Sequence, residues 1–164
     1  MRVIRNSKFI TVRKSKIHGF GVFAKKRIPA GTYIIEYLGE KVTIAEADRR
    51  AERITDRKSA ETSHTFFFGV SSRHIIDGNS RGNDARFINH SCDGNCESDV
   101  RGGRVFISAV RDIKRGEELT FDYALQRHRD DPRGVEKQYR CLCGTAACRG
   151  TMLEPRNRKD DRVR

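Results

Sequence analysis

No apolar run in the 164-residue sequence approaches the roughly 20 residues that a membrane-spanning helix requires. The opening Met1-Arg2-Val3-Ile4-Arg5 lacks the apolar stretch and small-residue cleavage site of a secretory signal. No internal repeat is present. These absences exclude a transmembrane protein, a secreted disulfide scaffold and a coiled coil. Acidic residues are in short supply: 22 Asp and Glu face 34 Lys and Arg, a formal net charge of +12. Residues 1–16 carry six basic residues and no acidic one. At 36% hydrophobic and 34% charged the chain is polar for a globular protein, yet nine Phe and four Tyr argue against disorder. The length suits one domain, or one domain with a small appendage, and a core large enough to stand without disulfides.

The five cysteines are odd in number and unevenly placed. Cys92 and Cys96 lie mid-chain, while Cys141, Cys143 and Cys148 crowd the end. Without a secretory signal the expected compartment is reducing. Clustered cysteines in such a chain more often bind metal or do chemistry than form bridges. Cys141-Leu142-Cys143-Gly144 reads as a tight turn that aims two thiolates together, with Cys148 close behind. Zinc takes four ligands in a tetrahedron, so three thiolates require a fourth ligand elsewhere. Cys92 or Cys96 can supply it, with His90 and His128 as weaker choices. The competing reading is three unrelated reduced thiols.

The chain reads as many short strands, one clear helix and long loops, a mainly β fold. Phe9–Val12, Tyr33–Leu38, His64–Val70, Arg73–Asp77, Arg104–Val110 and Leu119–Tyr123 are rich in strand-forming residues and separated by turn signals. Thr43-Ile44-Ala45-Glu46 predicts a helix start with a capping box, and the helix is expected to run to about Lys58. Gly82 to Cys96 reads as polar and irregular. Residues 126–138 read as a mobile linker, 139–154 as a cysteine knuckle and 155–164 as a frayed charged tail.

Two segments stand out for chemistry. Asn83 to Cys92 packs donors and acceptors around Phe87 and Ile88, and such a loop either folds onto itself or holds a ligand. Gly19-Phe20-Gly21 permits close approach of a ligand to the backbone, or merely makes a turn. It is no dinucleotide fingerprint, for it lacks a third glycine, and no P-loop, for it lacks Gly-Lys-Ser or Gly-Lys-Thr. In chain order the sequence has Gly19-Phe20-Gly21, Tyr37-Leu38-Gly39-Glu40, Arg86-Phe87-Ile88-Asn89-His90-Ser91-Cys92, Glu117-Glu118-Leu119-Thr120-Phe121-Asp122-Tyr123 and the cysteine knuckle. This series resembles the SET-domain protein lysine methyltransferases with a post-SET zinc module. The resemblance covers roughly residues 8–153. Its Asn-His-Ser-Cys and Glu-Leu-Thr-Phe-Asp-Tyr pieces are specific, and its glycine piece is not.

The resemblance implies several small β-sheets with a knot-like C-terminal crossing, one helix, a SET domain over 8–125 and a post-SET zinc module over 139–154. It implies S-adenosylmethionine as cofactor and structural zinc. Gly19, Phe20 and Gly21 would touch the cofactor, and Arg86, Asn89 and His90 would hold its amino-acid and adenine ends. His64 stands where many relatives have Tyr. Met152 and Leu153 stand near residues that cover the adenine. Tyr123 would be the catalytic tyrosine and Tyr37 a second one lining the substrate channel; the plain alternative is that both are ordinary strand tyrosines. Phe121, in the channel, would leave room for added methyl groups, so di- or trimethylation of a lysine-bearing protein such as a histone is expected. Cys92 would join Cys141, Cys143 and Cys148 as zinc ligands, leaving Cys96 spare or in place of Cys92. Gly94, where relatives usually have Pro, is expected to loosen its loop.

The charge sets a puzzle, because a basic chain repels a basic target within a Debye length. Either Glu36, Glu40, Glu117, Glu118 and Asp122 make a local acidic groove, or the basic surface contacts nucleic acid near DNA-associated targets. A solvated basic surface with no partner is the plain alternative. Two other functions compete: a small zinc-dependent nucleic-acid-binding module, and a catalytically inactive SET-like binding domain. Lys8 has only seven residues before it, so the cysteine-rich segment that many relatives carry there is expected to be missing. The expected location is intracellular: nucleus or chromatin for a eukaryotic chain, cytoplasm or a delivered effector for a bacterial one. No membrane contact is expected.

Overall fold

The computed structural model describes residues 7–57, 66–127 and 131–155. Three small sheets share one core. The first contains β1 (Ile10–Lys14), β2 (Phe20–Ala24), β10 (Glu118–Phe121) and β7 (Asn89–His90), in the order β1-β2-β10-β7. The second contains β3 (Tyr33–Tyr37), β9 (Arg104–Ala109) and β8 (Cys96–Arg101). The third contains β4 (Glu40–Thr43), β6 (His74–Asp77) and β5 (Phe67–Gly69). Val22, Ile34, Ile35, Val105, Ile107 and Leu119 are all fully buried between the sheets. Truncating Leu119 to Ala would cost about 2–5 kcal/mol.

The single helix among the described residues, α1 (Ile44–Arg57), starts where the sequence places it. The Thr43 hydroxyl accepts from the Glu46 N–H at 3.3 Å, which is half of a capping box. The other half is missing because Arg49 and Arg50 take the Glu46 carboxylate. Arg50 also donates to Glu40 and to the buried Asp77, which pins α1 to β4 and β6.

The irregular reading ends at Cys96, and just there Cys96–Arg101 forms β8 opposite β9 in an unbroken register, a strand the sequence reading did not include. β10 runs antiparallel to β2 and parallel to β7, with Thr120 opposite Asn89 and Phe121 opposite His90. The loop 91–95 lies directly over β10. The Ser91 N–H donates to the Phe121 carbonyl at 3.1 Å. Buried Asn95 accepts from the Thr120 N–H at 3.0 Å and donates to the Glu118 carbonyl at 2.7 Å. A Cβ on Gly94 would meet the Thr120 carbonyl oxygen at 2.7 Å and the Phe121 Cα at 2.8 Å. Gly94 therefore packs the loop tightly onto the strand, opposite to the loosening expected of it. This crossing ties two segments about 25 residues apart into one structure.

In the segment expected to be a linker, Val135 is buried in a short 3-10 turn. Arg127 pairs with Glu136 at 3.0 Å and donates to the Glu154 carbonyl at 2.9 Å. Both His64 and His128 lie outside the described residues, as does most of the expected charged tail.

Candidate active site and metal centre

The parallel pair β7–β10 brings Asn89 and His90 beside the strand that ends at Phe121. The Asn89 amide donates to the carbonyls of His18 at 3.3 Å and Phe20 at 3.0 Å, and to Glu118 at 2.9 Å. It thus holds the Gly19-Phe20-Gly21 turn against the Asn-His-Ser-Cys segment. Glu118 is fixed from the other side by the Ser15 hydroxyl, which donates to it at 2.7 Å. A Cβ on Gly21 would stand 2.2 Å from Glu118 Oε1, so a side chain there would push the carboxylate off Ser15 and Asn89. Phe20 is 54% exposed, unusual for such a ring, and its edge meets Phe87 with centroids 6.0 Å apart. Arg86 stacks over Phe87 at 4.7 Å and over Phe66 at 5.5 Å. Its Nη1 donates to the Gly78 carbonyl at 3.0 Å, whereas its buried Nε has no partner. Exposed aromatic surface, a buried unpaired donor and a glycine turn thus form one wall.

A second aromatic run adjoins the first. Ring centroids are 5.3 Å apart for Tyr37 and Phe68, 6.1 Å for Phe68 and Phe121, 5.0 Å for Phe121 and Tyr123, and 5.3 Å for Tyr123 and His90. The Tyr37 hydroxyl donates to the Phe66 carbonyl at 2.9 Å, and the Tyr123 hydroxyl to the Ile88 carbonyl at 2.7 Å. Each hydroxyl therefore leaves its oxygen lone pairs for another donor. Burial pushes both phenols well above the ordinary tyrosine pKa, aided by Tyr123 near Tyr37 and by Glu118 near Tyr123. Both stay neutral at any physiological pH. Residues 87–90 join the two aromatic runs.

The Sγ atoms of Cys92, Cys141, Cys143 and Cys148 all lie within 4.8 Å of one another. Cys92 and Cys141 are 3.7 Å apart. Four thiolates at about 2.3 Å from one zinc ion stand about 3.8 Å apart, so the donor set fits tetrahedral zinc. Backbone N–H groups of Arg149, Cys143 and Gly150 point at the sulfurs of Cys92, Cys141 and Cys148, at 3.3, 3.4 and 3.4 Å. Such donors favour thiolates. Burial raises the Cys92 and Cys141 thiols, and against burial the Thr145 hydrogen bonds bring Cys143 down to about 5. Cys96 lies apart on β8, where burial pushes it up to about 12. His90 faces the cluster without belonging to it. Its Nδ1 accepts from the Tyr123 N–H at 3.0 Å, so the neutral ring carries its proton on Nε2, 3.4 Å from Cys92 Sγ.

Met152 and Leu153 lie against Leu125, two residues past Tyr123. The Leu125 N–H donates to the Met152 carbonyl at 3.1 Å, and Leu153 is buried while Met152 is half-buried. The expected acidic groove is not formed. Glu36 is paired with Arg104, Glu40 with Arg50, Glu117 with Arg111 and Asp122 with Arg149, while Glu118 accepts from Ser15 and Asn89. Their partners lie on β9, α1 and β7 and in loops. Sequence reading passed over Phe66, Phe68, Asn95 and Arg149. The aromatic run from 66 to 68 was a visible signal, whereas Asn95 and Arg149 carried none.

A chain with these motifs folded into this crossing is a member of the SET domain family: the family matches residues 19–124. The chain is 40% identical over 152 residues to a histone-lysine N-methyltransferase, H3 lysine-4 specific, of Emericella nidulans, covering 90% of this chain and 12% of that protein. It is 37% identical to the protein of the same description from Saccharomyces cerevisiae, covering 90% of this chain and 13% of that one. It is also 37% identical to histone-lysine N-methyltransferase set-2 of Caenorhabditis elegans, covering 88% and 9%. The chain therefore spans about an eighth of the length of these relatives or less. Among solved structures it resembles a chain in the crystal structure of the Chaetomium thermophilum polycomb repressive complex 2. The TM-score is 0.64 at 32% identity, covering 72% of this chain and 15% of that one.

Proposed function

We propose that the chain transfers methyl groups to the side-chain amine of a protein lysine, with histone H3 lysine 4 as the first candidate target. The observation that carries this reading is the junction of two aromatic runs at residues 87–90, one exposed to solvent at Phe20 and one closed around two neutral tyrosine hydroxyls. The likeness to H3 lysine-4 methyltransferases supports the target. We assign residues 8–125 to methyl transfer and 139–154 to a zinc knuckle.

S-adenosylmethionine, when bound, supplies a methyl group on a sulfonium, electrophilic toward a neutral amine. The Gly19-Phe20-Gly21 turn, Arg86, Asn89 and His90 would hold it, and Met152 with Leu153 would cover it. His64 completes the assignment from outside the described residues. The wall of Tyr37, Phe68, Phe121 and Tyr123 excludes water, which favours the uncharged amine over the ammonium. The oxygens of Tyr37 and Tyr123, committed as donors to backbone carbonyls, can each accept from the amine N–H and orient its lone pair. Alignment of this kind contributes effective molarities of about 10⁵ M or more. Phe121 places no hydroxyl beside the amine, which favours di- and trimethyl products. Cys92, Cys141, Cys143 and Cys148 would hold zinc with no part in the transfer itself.

Histone targets place the protein in the nucleus, on chromatin. Contact of the basic surface with nucleic acid belongs to the same proposal, supported by net charge and by the internal pairing of the acids. The test is incubation of the purified protein with labelled S-adenosylmethionine and histone H3, with the modified residue mapped by mass spectrometry. Binding of donor and product without transfer would leave an inactive SET-like domain. No binding of either, with retention of nucleic acid, would leave a zinc-dependent binding module.

A further inference from the structure

Asp122 sits between Phe121 and Tyr123, and its carboxylate is gripped by Arg149 from the cysteine knuckle. Both guanidinium arms take part, Nη1 to Oδ2 at 2.7 Å and Nη2 to Oδ1 at 2.8 Å. The same arginine gives its backbone N–H to Cys92 Sγ. Oδ1 of Asp122 also accepts from the Ala124 N–H at 2.9 Å. Ala124 has φ +42°, left-handed backbone in a non-glycine residue, at the turn immediately after Tyr123. Such a turn persists only where its surroundings over-determine it. The flanking N–H groups of Tyr123 and Leu125 are held by His90 Nδ1 and the Met152 carbonyl, and the N–H of Ala124 itself by the Asp122 carboxylate, which the forked Arg149 guanidinium aims.

We propose that Arg149 is a positioning residue for methyl transfer: through Asp122 it holds the Ala124 turn and so aims the Tyr123 hydroxyl. The knuckle, besides closing the cofactor side, reaches the reacting side through this one side chain. A lysine in its place keeps the charge but cannot grip both oxygens. This inference rests on the methyl-transfer reading above. A displaced Tyr123 costs alignment and not affinity, because a misplacement of about 1 Å can slow an oriented reaction about a hundredfold.

The experiment compares the wild type with Arg149→Ala, Arg149→Lys, Asp122→Asn and the double variant Asp122→Asn with Arg149→Ala. Zinc content, thermal midpoint, KM for H3 peptide and for S-adenosylmethionine, and kcat are read for each. We expect Arg149→Ala to lower kcat at least tenfold, with one zinc per chain retained and both KM values within about threefold. Arg149→Lys should fall between it and the wild type. The double variant should lose no more than the worse single variant. An unchanged kcat in Arg149→Ala overturns the proposal. So does loss of zinc with a joint rise of both KM values, which would mark a purely structural arginine. Should Arg149→Ala not fold, Arg149→Lys decides by the same kcat criterion. A wild type that binds the donor and transfers nothing refutes the methyl-transfer reading instead.

Discussion

The phenol of Tyr123 donates to the carbonyl of Ile88 at 2.7 Å, fixing its oxygen on the seam between the two aromatic runs. Removing that oxygen leaves the ring and its packing intact. We expect Tyr123→Phe to lower kcat by about 10²-fold or more while the thermal midpoint holds, the scale seen for loss of one oriented polar group in an active site. Tyr37→Phe should show a smaller loss. Full retained activity in Tyr123→Phe would remove it from the chemistry.

Phe121 adds a hydroxyl-free ring whose centroid lies 5.0 Å from that of Tyr123. With excess donor, the wild type should carry H3 peptide to the di- or trimethyl state. Phe121→Tyr should shift the product toward monomethyl by placing an oxygen, or a water bound to it, beside the amine. Mass spectra showing only monomethyl peptide from the wild type would overturn the assignment.

The five thiols should react in two classes. Metal held by Cys92, Cys141, Cys143 and Cys148 would protect them, and burial protects Cys96 by pushing its thiol up to about 12. Alkylation of the metal-loaded protein should therefore label none quickly. After chelation four should label, with Cys96 last, and affinity for both donor and peptide should fall together. Rapid labelling of Cys92, Cys141, Cys143 and Cys148 before chelation would show that no metal is held.

Raised phenol pKa values carry a stability sign. A folded-state pKa above the unfolded one favours the neutral phenol, so its contribution is whole below about pH 10 and is lost as pH rises through the folded value. For Tyr37 and Tyr123 burial sets that direction. Alkaline titration followed by phenolate absorbance should leave both neutral until the protein unfolds. Ionisation of either near pH 10 in the folded protein would contradict the closed site.

Gly94→Ala tests the crossing. The new methyl meets the β10 backbone, which cannot swing aside as a side chain can. Overpacking of this kind costs about 1–3 kcal/mol, so we expect a lower thermal midpoint together with weaker donor binding. An unaltered midpoint would mean that the loop yields freely.

Strands β1, β3, β5, β6, β9 and β10 and the helix start were legible because each is written in adjacent residues, whereas β2, β4 and β7 were not read as strands. Tyr33–Tyr37 and Arg104–Ala109 are β-branched runs, and Thr43 with Glu46 is a local cap. Partners far apart in the chain were not legible. Glu36 and Asp122 looked like free acids until the fold set Arg104 and Arg149 against them. β8 was missed because Cys96–Arg101 is polar and its strand character comes from pairing with β9, not from its own composition. Phe68 joined the tyrosines only through β5, whose pairing no local pattern announces.

The loop 91–95 clasped over β10 also joins two regions that are otherwise separate. Asn95 takes partners from the Thr120 and Glu118 backbone, and Cys92 near the start of the same loop stands among the four gathered thiols. A disturbance of the strand is therefore felt at the cysteines as well.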